Sequence, residues 1–199
     1  DVCSSDLGDQ VTTFNGLADA TIQTNFEGVD LSGYTNYGSQ VIGSNDSTVV
    51  DTVTATGLAD SISLQKGADV YTVTAGNDVV DMGAGADTVN VTTTLLLANN
   101  GTTATVDFGA GTDNLAIGNS ITSLEDADLR GFSNAETLTF GTGTNSATLG
   151  SNAFGAFSSI VGYDSWRSYN WILELQPSSG FYFHGGFRKF IFGIFPRNS

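Results

Sequence analysis

Asp51, Asp60, Asp69, Asp78 and Asp87 stand nine residues apart, five in succession, and that period restricts the fold more than any other feature of the chain. Two residues after each comes Val53, Ile62, Tyr71, Val80 or Val89, all β-branched or aromatic. Two residues before the last three come Gly67, Gly76 and Gly85. The segment Gly-x-Asp supplies a turn, because Gly reaches backbone conformations closed to other residues and Asp bonds neighbouring amides. The residues that follow, such as Thr88-Val89-Asn90-Val91, alternate polar and apolar and suit a short strand with one face inward. Nine residues then make one turn and one strand, and eighteen bring the chain back above itself. Residues 46–91 are predicted to form stacked parallel strands with positions 53, 62, 71, 80 and 89 inside. Asp51, Asp69 and Asp87 would line one edge, and Asp60 and Asp78 the other. The fold class this implies is all-β, a parallel β-roll or right-handed β-solenoid with irregular flanking strands.

The pattern resembles the RTX family, the hemolysin-type calcium-binding repeats with consensus GGxGxDxUx. Met82-Gly83-Ala84-Gly85-Ala86-Asp87-Thr88-Val89-Asn90 carries the resemblance best, and Val73 to Asp81 and Leu64 to Thr72 follow it more loosely. Phe108-Gly109-Ala110-Gly111-Thr112-Asp113-Asn114-Leu115-Ala116 repeats it after a gap. The resemblance implies calcium between same-side turns, held by Asp carboxylates and loop carbonyls. Its site residues here are Asp60, Gly67, Asp69, Gly76, Asp78, Gly83, Gly85, Asp87 and Asp113. The chain departs from the consensus: the first Gly is absent throughout, and the second survives only as Gly83 and Gly109. Val49 and Leu58 replace the Gly before Asp51 and Asp60. The sharpest expectation is a calcium ion between Asp69 and Asp87, with a weaker site between Asp60 and Asp78.

Charge points the same way without the family. Carboxylates stacked at strand spacing, about 4.8 Å, repel by about 1 kcal/mol in water and roughly 3–4 kcal/mol at an effective dielectric of 20. Such a ladder needs a cation, or must be well solvated and bonded to turn amides. The net charge is −15, and the acid is supplied as 17 Asp against 4 Glu. A surface of that kind has no basic footprint for nucleic acid and is repelled by anionic membranes. No run of 18 apolar residues is present to span a bilayer.

Flanking segments are read in order. Residues 1–7, Asp1 to Leu7, match the translated end of a common sequencing adapter, which removes Cys3, the only cysteine, from any redox argument. Residues 8–45 form an irregular β flank. Residues 92–162 continue the solenoid: Leu95-Leu96-Leu97 and the turn Asn99-Asn100-Gly101 interrupt it, and a strand returns at Thr103 to Phe108. Ser123 and Asp126 have capping-box spacing, so a short helix is expected near 123–131, with Glu125, Asp126 and Asp128 on a solvated face. Ala135 to Phe140 is a strand. Composition breaks near Gly162: the first 162 residues hold 25 Thr, 17 Ala and 15 Val, and the last 37 hold none of the three. Residues 163–199 are therefore an aromatic tail of another kind, out-of-frame translation or a small aromatic domain, and are expected to pack poorly on the roll.

Catalytic motifs are missing. There is no GxSxG and no HExxH, and His184 has no second ligand nearby in sequence. The expected function is a calcium-binding structural module of a large secreted or surface-attached bacterial protein, adhesin or S-layer type, and not an enzyme. Its partners would be calcium, cell-surface glycans or neighbouring copies in a surface layer. Two other readings stand beside it: the C-terminal calcium-binding roll of an exported metalloprotease or lipase, and a degenerate β-solenoid without metal. The unit Asp113-Asn-Leu to Ala135-Glu136-Thr-Leu, similar to one in giant adhesins and S-layer proteins, favours the first.

Overall fold

A computed structural model describes residues 28–92, 104–121, 123–143, 145–150, 153 and 156–162, and gives the backbone alone for five further strands near the two ends. In chain order the strands are β1 (Gln10–Phe14), β2 (Leu17–Ala18), β3 (Gly28–Asp30), β4 (Gln40–Ile42), β5 (Thr52–Thr54), β6 (Ser61–Ser63) and β7 (Val70–Thr72). Next come β8 (Asp78–Asp81), β9 (Ala84–Gly85), β10 (Thr88–Val91), β11 (Ala104–Asp107), β12 (Ala110–Gly111), β13 (Asn114–Ile117) and β14 (Leu124–Glu125). The last seven are β15 (Phe132–Ser133), β16 (Thr137–Phe140), β17 (Asn145–Leu149), β18 (Ser159–Gly162), β19 (Glu174–Gln176), β20 (Gly180–Gly185) and β21 (Phe190–Gly193).

Alternate strands go to opposite walls. One sheet runs β15-β11-β8-β6-β4-β1-β2, the other β21-β18-β16-β13-β10-β7-β5-β3. From β3 to β18 every neighbouring pair within these two walls is parallel, so the chain climbs as a β-solenoid. Register follows the predicted columns: Val53 pairs with Tyr71 and Tyr71 with Val89, each eighteen residues on. Ile62 pairs with Val80 on the facing wall. All five side chains are buried, as the period required. After Asp87 the coil widens, with Val89 pairing to Leu115 and Leu115 to Leu138; that wall continues to β18, while the other ends at β15 and β14 pairs in parallel with β17 in a separate sheet.

The missing first glycine of the repeat has a packing explanation. Its position is held by Leu64, Val73, Met82 and Phe108, each buried in the same core cluster as Tyr71, Val80, Val89 and Leu115. Each nonapeptide thus sends two apolar side chains inward, one from mid-strand and one from the start of the turn. Full burial of such a side chain contributes about 1.5–3 kcal/mol. A glycine there would leave the narrow interior unfilled.

Several flanks differ from expectation. The roll begins before residue 46: β3 pairs in parallel with β5, and β4 with β6, so the stretch from Gly28 is already solenoid. The expected helix near 123–131 is a single 3-10 turn, Asp126–Leu129, and Ser123 does not cap it. Asp128 instead accepts from the Glu125 N–H at 2.8 Å. Asp126 reaches the following coil, accepting from Gly150 N–H at 2.8 Å and Ala153 N–H at 2.9 Å. That acidic cluster is used to tie backbone, and Asp128 is buried rather than on a solvated face. The strand predicted at Thr103 to Phe108 is present as β11, while residues 93–103 lie outside the described ones.

Both ends carry antiparallel strands. β1 pairs antiparallel with β4, and the aromatic tail supplies β20 against β17 and β21 against β18. In the tail these pairings are of the β20 and β21 backbones alone. Its runs Phe181-Tyr182-Phe183 and Phe190-Ile191-Phe192 have no sustained period, yet each is long enough for one strand. The terminal coil of a solenoid offers unpaired N–H and C=O groups that any such strand can satisfy. Among the described residues no helix is long and apolar enough to cross a membrane.

Candidate metal centre

Gly67, Gly76, Gly83, Gly85, Gly109 and Gly111 lie directly on the coil beneath. A Cβ on Gly85 would stand 1.4 Å from the Gly67 carbonyl oxygen, and one on Gly111 would stand 1.6 Å from that of Gly85. Gly67, at φ +147, would meet the Val49 carbonyl at 2.3 Å, and Gly83, at φ +92, that of Gln65 at 2.1 Å. Because nothing larger than hydrogen fits, turns stack backbone on backbone. On the Asp69–Asp87 edge they also pair as β9 with β12, with Lys66 bridging to Ala84. The carbonyls of Val49, Gly67 and Gly85 are thereby brought beside the Asp column.

That column is a directional ladder. Asp51 N–H donates to Asp69 Oδ1, Asp69 N–H to Asp87 Oδ1, and Asp87 N–H to Asp113 Oδ1, each at 2.8 Å. Asp113 N–H donates to Glu136 Oε2 at 2.7 Å. The main chain runs the opposite way, Val70 N–H to Asp51 O and Thr88 N–H to Asp69 O at 2.8 Å, Asn114 N–H to Asp87 O at 2.9 Å. Every Asp of the column is buried, and Asp69 and Asp113 have no accessible surface at all.

In Asp69, Asp87 and Asp113 one carboxylate oxygen is thus spoken for and the other is not. Asp69 Oδ2, Asp87 Oδ2 and Asp113 Oδ2 are buried with no hydrogen-bond donor. Leaving a buried charged oxygen without a partner costs several kcal/mol, roughly, unless a proton or a cation meets it. Burial pushes the Asp69 carboxyl up to about 7, and the neighbouring Asp51 and Asp87 charges push it the same way. Burial likewise raises Asp87 to about 6, with Asp113 adding to it, and raises Asp113 too. Basic side chains are scarce beside so many carboxyls, Lys66 and Arg130 being the only two in the first 162 residues.

The opposite edge is built differently. Asp78 Oδ1 accepts from Asp60 N–H at 3.0 Å, and its Oδ2 accepts from the Tyr71 hydroxyl at 2.7 Å. Asp60 Oδ1 accepts from Ser39 N–H at 2.5 Å and from Ser39 Oγ at 2.7 Å. Asp60 Oδ2 accepts from Thr56 N–H at 3.1 Å and from Thr56 Oγ1 at 2.9 Å. Burial pushes Asp78 up to about 6 against the pull of the Tyr71 hydroxyl, so a raised carboxyl is found on both edges. They differ in donors.

Of the predicted site residues, Asp69, Asp87, Gly67, Gly83 and Gly85 come together on one edge, and Asp113 joins them above the widened coil. Asp60, Asp78 and Gly76 share the other. Among the described residues no group of three or more His, Cys, Asp or Glu side chains converges as a metal cage. A cation between Asp69 and Asp87 would therefore need main-chain carbonyls as well, Gly67 and Gly85 being nearest to hand. Calcium accepts that mixture, taking about six to eight oxygens with flexible geometry. The period did not reveal Ser39, Thr56, the Tyr71 hydroxyl or Glu136. Glu136 stands at the ladder position although its coil is 23 residues long and its side chain is longer by a methylene. No family model, curated protein or solved structure matches this chain.

Proposed function

We propose that the chain is a calcium-ordered structural module of a large extracellular bacterial protein, of the adhesin or surface-layer kind. The observation that supports this is the row of buried, donor-less oxygens at Asp69, Asp87 and Asp113 on one edge of the solenoid. A divalent cation between successive turns supplies what those oxygens lack and cancels the repulsion along the column. Asp69, Asp87, Asp113 and the carbonyls of Gly67 and Gly85 would hold it. Calcium binding then becomes folding free energy, so the roll sets only where calcium is plentiful, as it is outside cells. Stiffness along the solenoid axis, and not a reaction, is what the module contributes.

A second reading has its own support. Asp69, Asp87 and Asp113 already use Oδ1 to fasten the preceding turn, and a protonated Oδ2 would leave a metal-free solenoid whose Asp residues only form turns. Titration calorimetry and thermal melting with calcium, magnesium or chelator separate the two. The calcium reading expects saturable binding and a Tm that climbs with calcium concentration. Magnesium should do much less, because it demands a tighter octahedral shell. No binding at millimolar calcium, with a melting curve indifferent to chelator, would leave the Asp columns as turn formers.

A further inference from the structure

We infer that Tyr71 stands in for a cation on the Asp60–Asp78 edge, so that calcium is confined to the Asp69–Asp87–Asp113 edge and the roll is metal-dependent on one side only. The inference rests on the calcium reading above and assigns its sidedness to a named residue. Tyr71 occupies the inward mid-strand column that Val53 and Val89 fill with hydrocarbon on the coils below and above. Its ring adds to the core, being wholly buried, and its hydroxyl crosses the interior to Asp78 Oδ2 at the start of β8 on the facing wall. The phenol donates to that carboxylate at 2.7 Å, so Asp78 Oδ2 has a protein partner where its counterparts on the other edge have none. The next Asp down this edge is supplied in the same manner, by the hydroxyls of Ser39 and Thr56 and the amides that carry them.

The contrast is legible at one position of the nonapeptide. Four residues before Asp60 stands Thr56, and four before Asp78 stands Thr74, whose hydroxyl donates to the Thr56 carbonyl. On the other edge the same position holds Gln65, Gly83 and Gly109, all at positive φ. A left-handed residue there offers the column no hydroxyl, while a threonine brings one. Hydroxyls close one edge with protein atoms, and glycines leave the other to be closed by an ion. The weaker calcium site expected between Asp60 and Asp78 is therefore absent while Tyr71 is in place.

Counting bound calcium per chain, by equilibrium dialysis with elemental analysis, tests this in the parent and in Tyr71→Phe. The phenylalanine keeps the ring and strands Asp78 Oδ2. The variant should bind one more calcium per chain, and its Tm difference between calcium and chelator should exceed the parent's. Adding Asp78→Asn to it should remove the extra ion. Should the variant not fold, hydrogen exchange of the unmodified chain gives the same answer. Chelation should speed exchange at the amides of Asp69 and Thr88 and leave those of Asp60 and Val79 protected. A parent that binds calcium, with unchanged stoichiometry in Tyr71→Phe or equal loss of protection on both edges, would overturn the inference alone. A parent that binds none would overturn the calcium reading and this inference with it.

Discussion

The backbone N–H of Asp69 donates to Asp87 Oδ1 at 2.8 Å, and the carbonyl of Asp69 accepts from the N–H of Thr88, beside Asp87, at 2.8 Å. One residue is clasped from above by both the side chain and the main chain of its neighbour in the column. The side-chain half of the clasp needs only an oxygen acceptor, whereas cation binding needs a charge. An amide in place of the carboxylate separates those roles.

Asp87→Asn should keep the clasp, because its Oδ1 still accepts from Asp69. Its NH2 group would point into the column, where Asp69 Oδ2 and Asp113 Oδ2 lack donors. In chelator near neutral pH the variant should melt above the parent, and added calcium should raise its Tm far less. Asp87→Ala loses the acceptor as well, and should be less stable than the parent in chelator by about 1–3 kcal/mol. Parallel melts of the three proteins with and without calcium check this. An Asn variant that responds to calcium like the parent would remove Asp87 from the site.

The pH dependence follows from the raised carboxyls. Asp69 and Asp87 titrate near 7 and 6 in the fold and near the ordinary Asp value when unfolded. Between those limits the folded chain holds more protons, so without calcium its stability must fall as pH rises. The stabilisation is fully present below about pH 4 and lost as pH passes through the folded values. Calcium binds the ionised column, so its effect should grow over the same interval. Melts at pH 5, 6, 7 and 8 should show the Tm in chelator declining by several degrees while the gap to calcium widens. A chelated Tm that rises with pH would show that the column carboxyls are ionised throughout.

Legibility differed between the walls and the edges. A single column of Asp51 to Asp87 with its apolar partners two residues on was enough to place β5 to β8 and β10, because period-two alternation fixes which face is inside. The wider coils were harder: Asp113 could be matched by its Gly109 and Gly111, but Glu136 carries neither glycine nor the expected spacing. Sequence ranks the edges, with the weaker site at Asp60 and Asp78 because Leu58 replaces a loop glycine, but it makes calcium sites of both. What separates them is the partner of the second carboxylate oxygen, and that partner comes from another strand. Tyr71 was counted for its ring; that its hydroxyl spans to Asp78 depends on the distance between the walls, which no spacing encodes.

Glycines in the turns are needed for space. A Cβ on Gly85 would stand 1.4 Å from one backbone atom of Gly67 and 2.6 Å from another, and backbone cannot swing aside. Gly85→Ala should therefore cost about 3 kcal/mol or more by forcing the turns apart. Gly57, three residues before Asp60 in a turn of the other edge, has nothing within 4 Å of that point. Gly57→Ala should be neutral or stabilising by up to about 1 kcal/mol, through the unfolded chain. Chemical denaturation of both variants checks the pair, and equal effects would mean that the turns do not stack as closely as these distances require.

The position where the chain departs most plainly from the repeat consensus gives the least intuitive outcome. Met82 stands where the consensus has glycine, and it is fully buried among the side chains of the core cluster. A change toward the consensus, Met82→Gly, would remove the whole side chain from a narrow interior that Leu64 and Phe108 fill at equivalent points on the adjoining coils. Truncating a buried Met to Ala costs about 2–5 kcal/mol, through lost transfer energy and the cavity left behind. Glycine adds a backbone entropy cost of roughly 0.5–1 kcal/mol. Met82→Gly should thus be more damaging than Met82→Ala, and Met82→Leu, which conserves volume, should cost less than about 1.5 kcal/mol. Calcium should rescue none of the three selectively, because Met82 faces the core while the column lies at the edge. Urea midpoints in saturating calcium order the variants. A glycine variant as stable as the parent would mean that this position belongs to the turn, as in the consensus, and that the interior is filled by the mid-strand column alone.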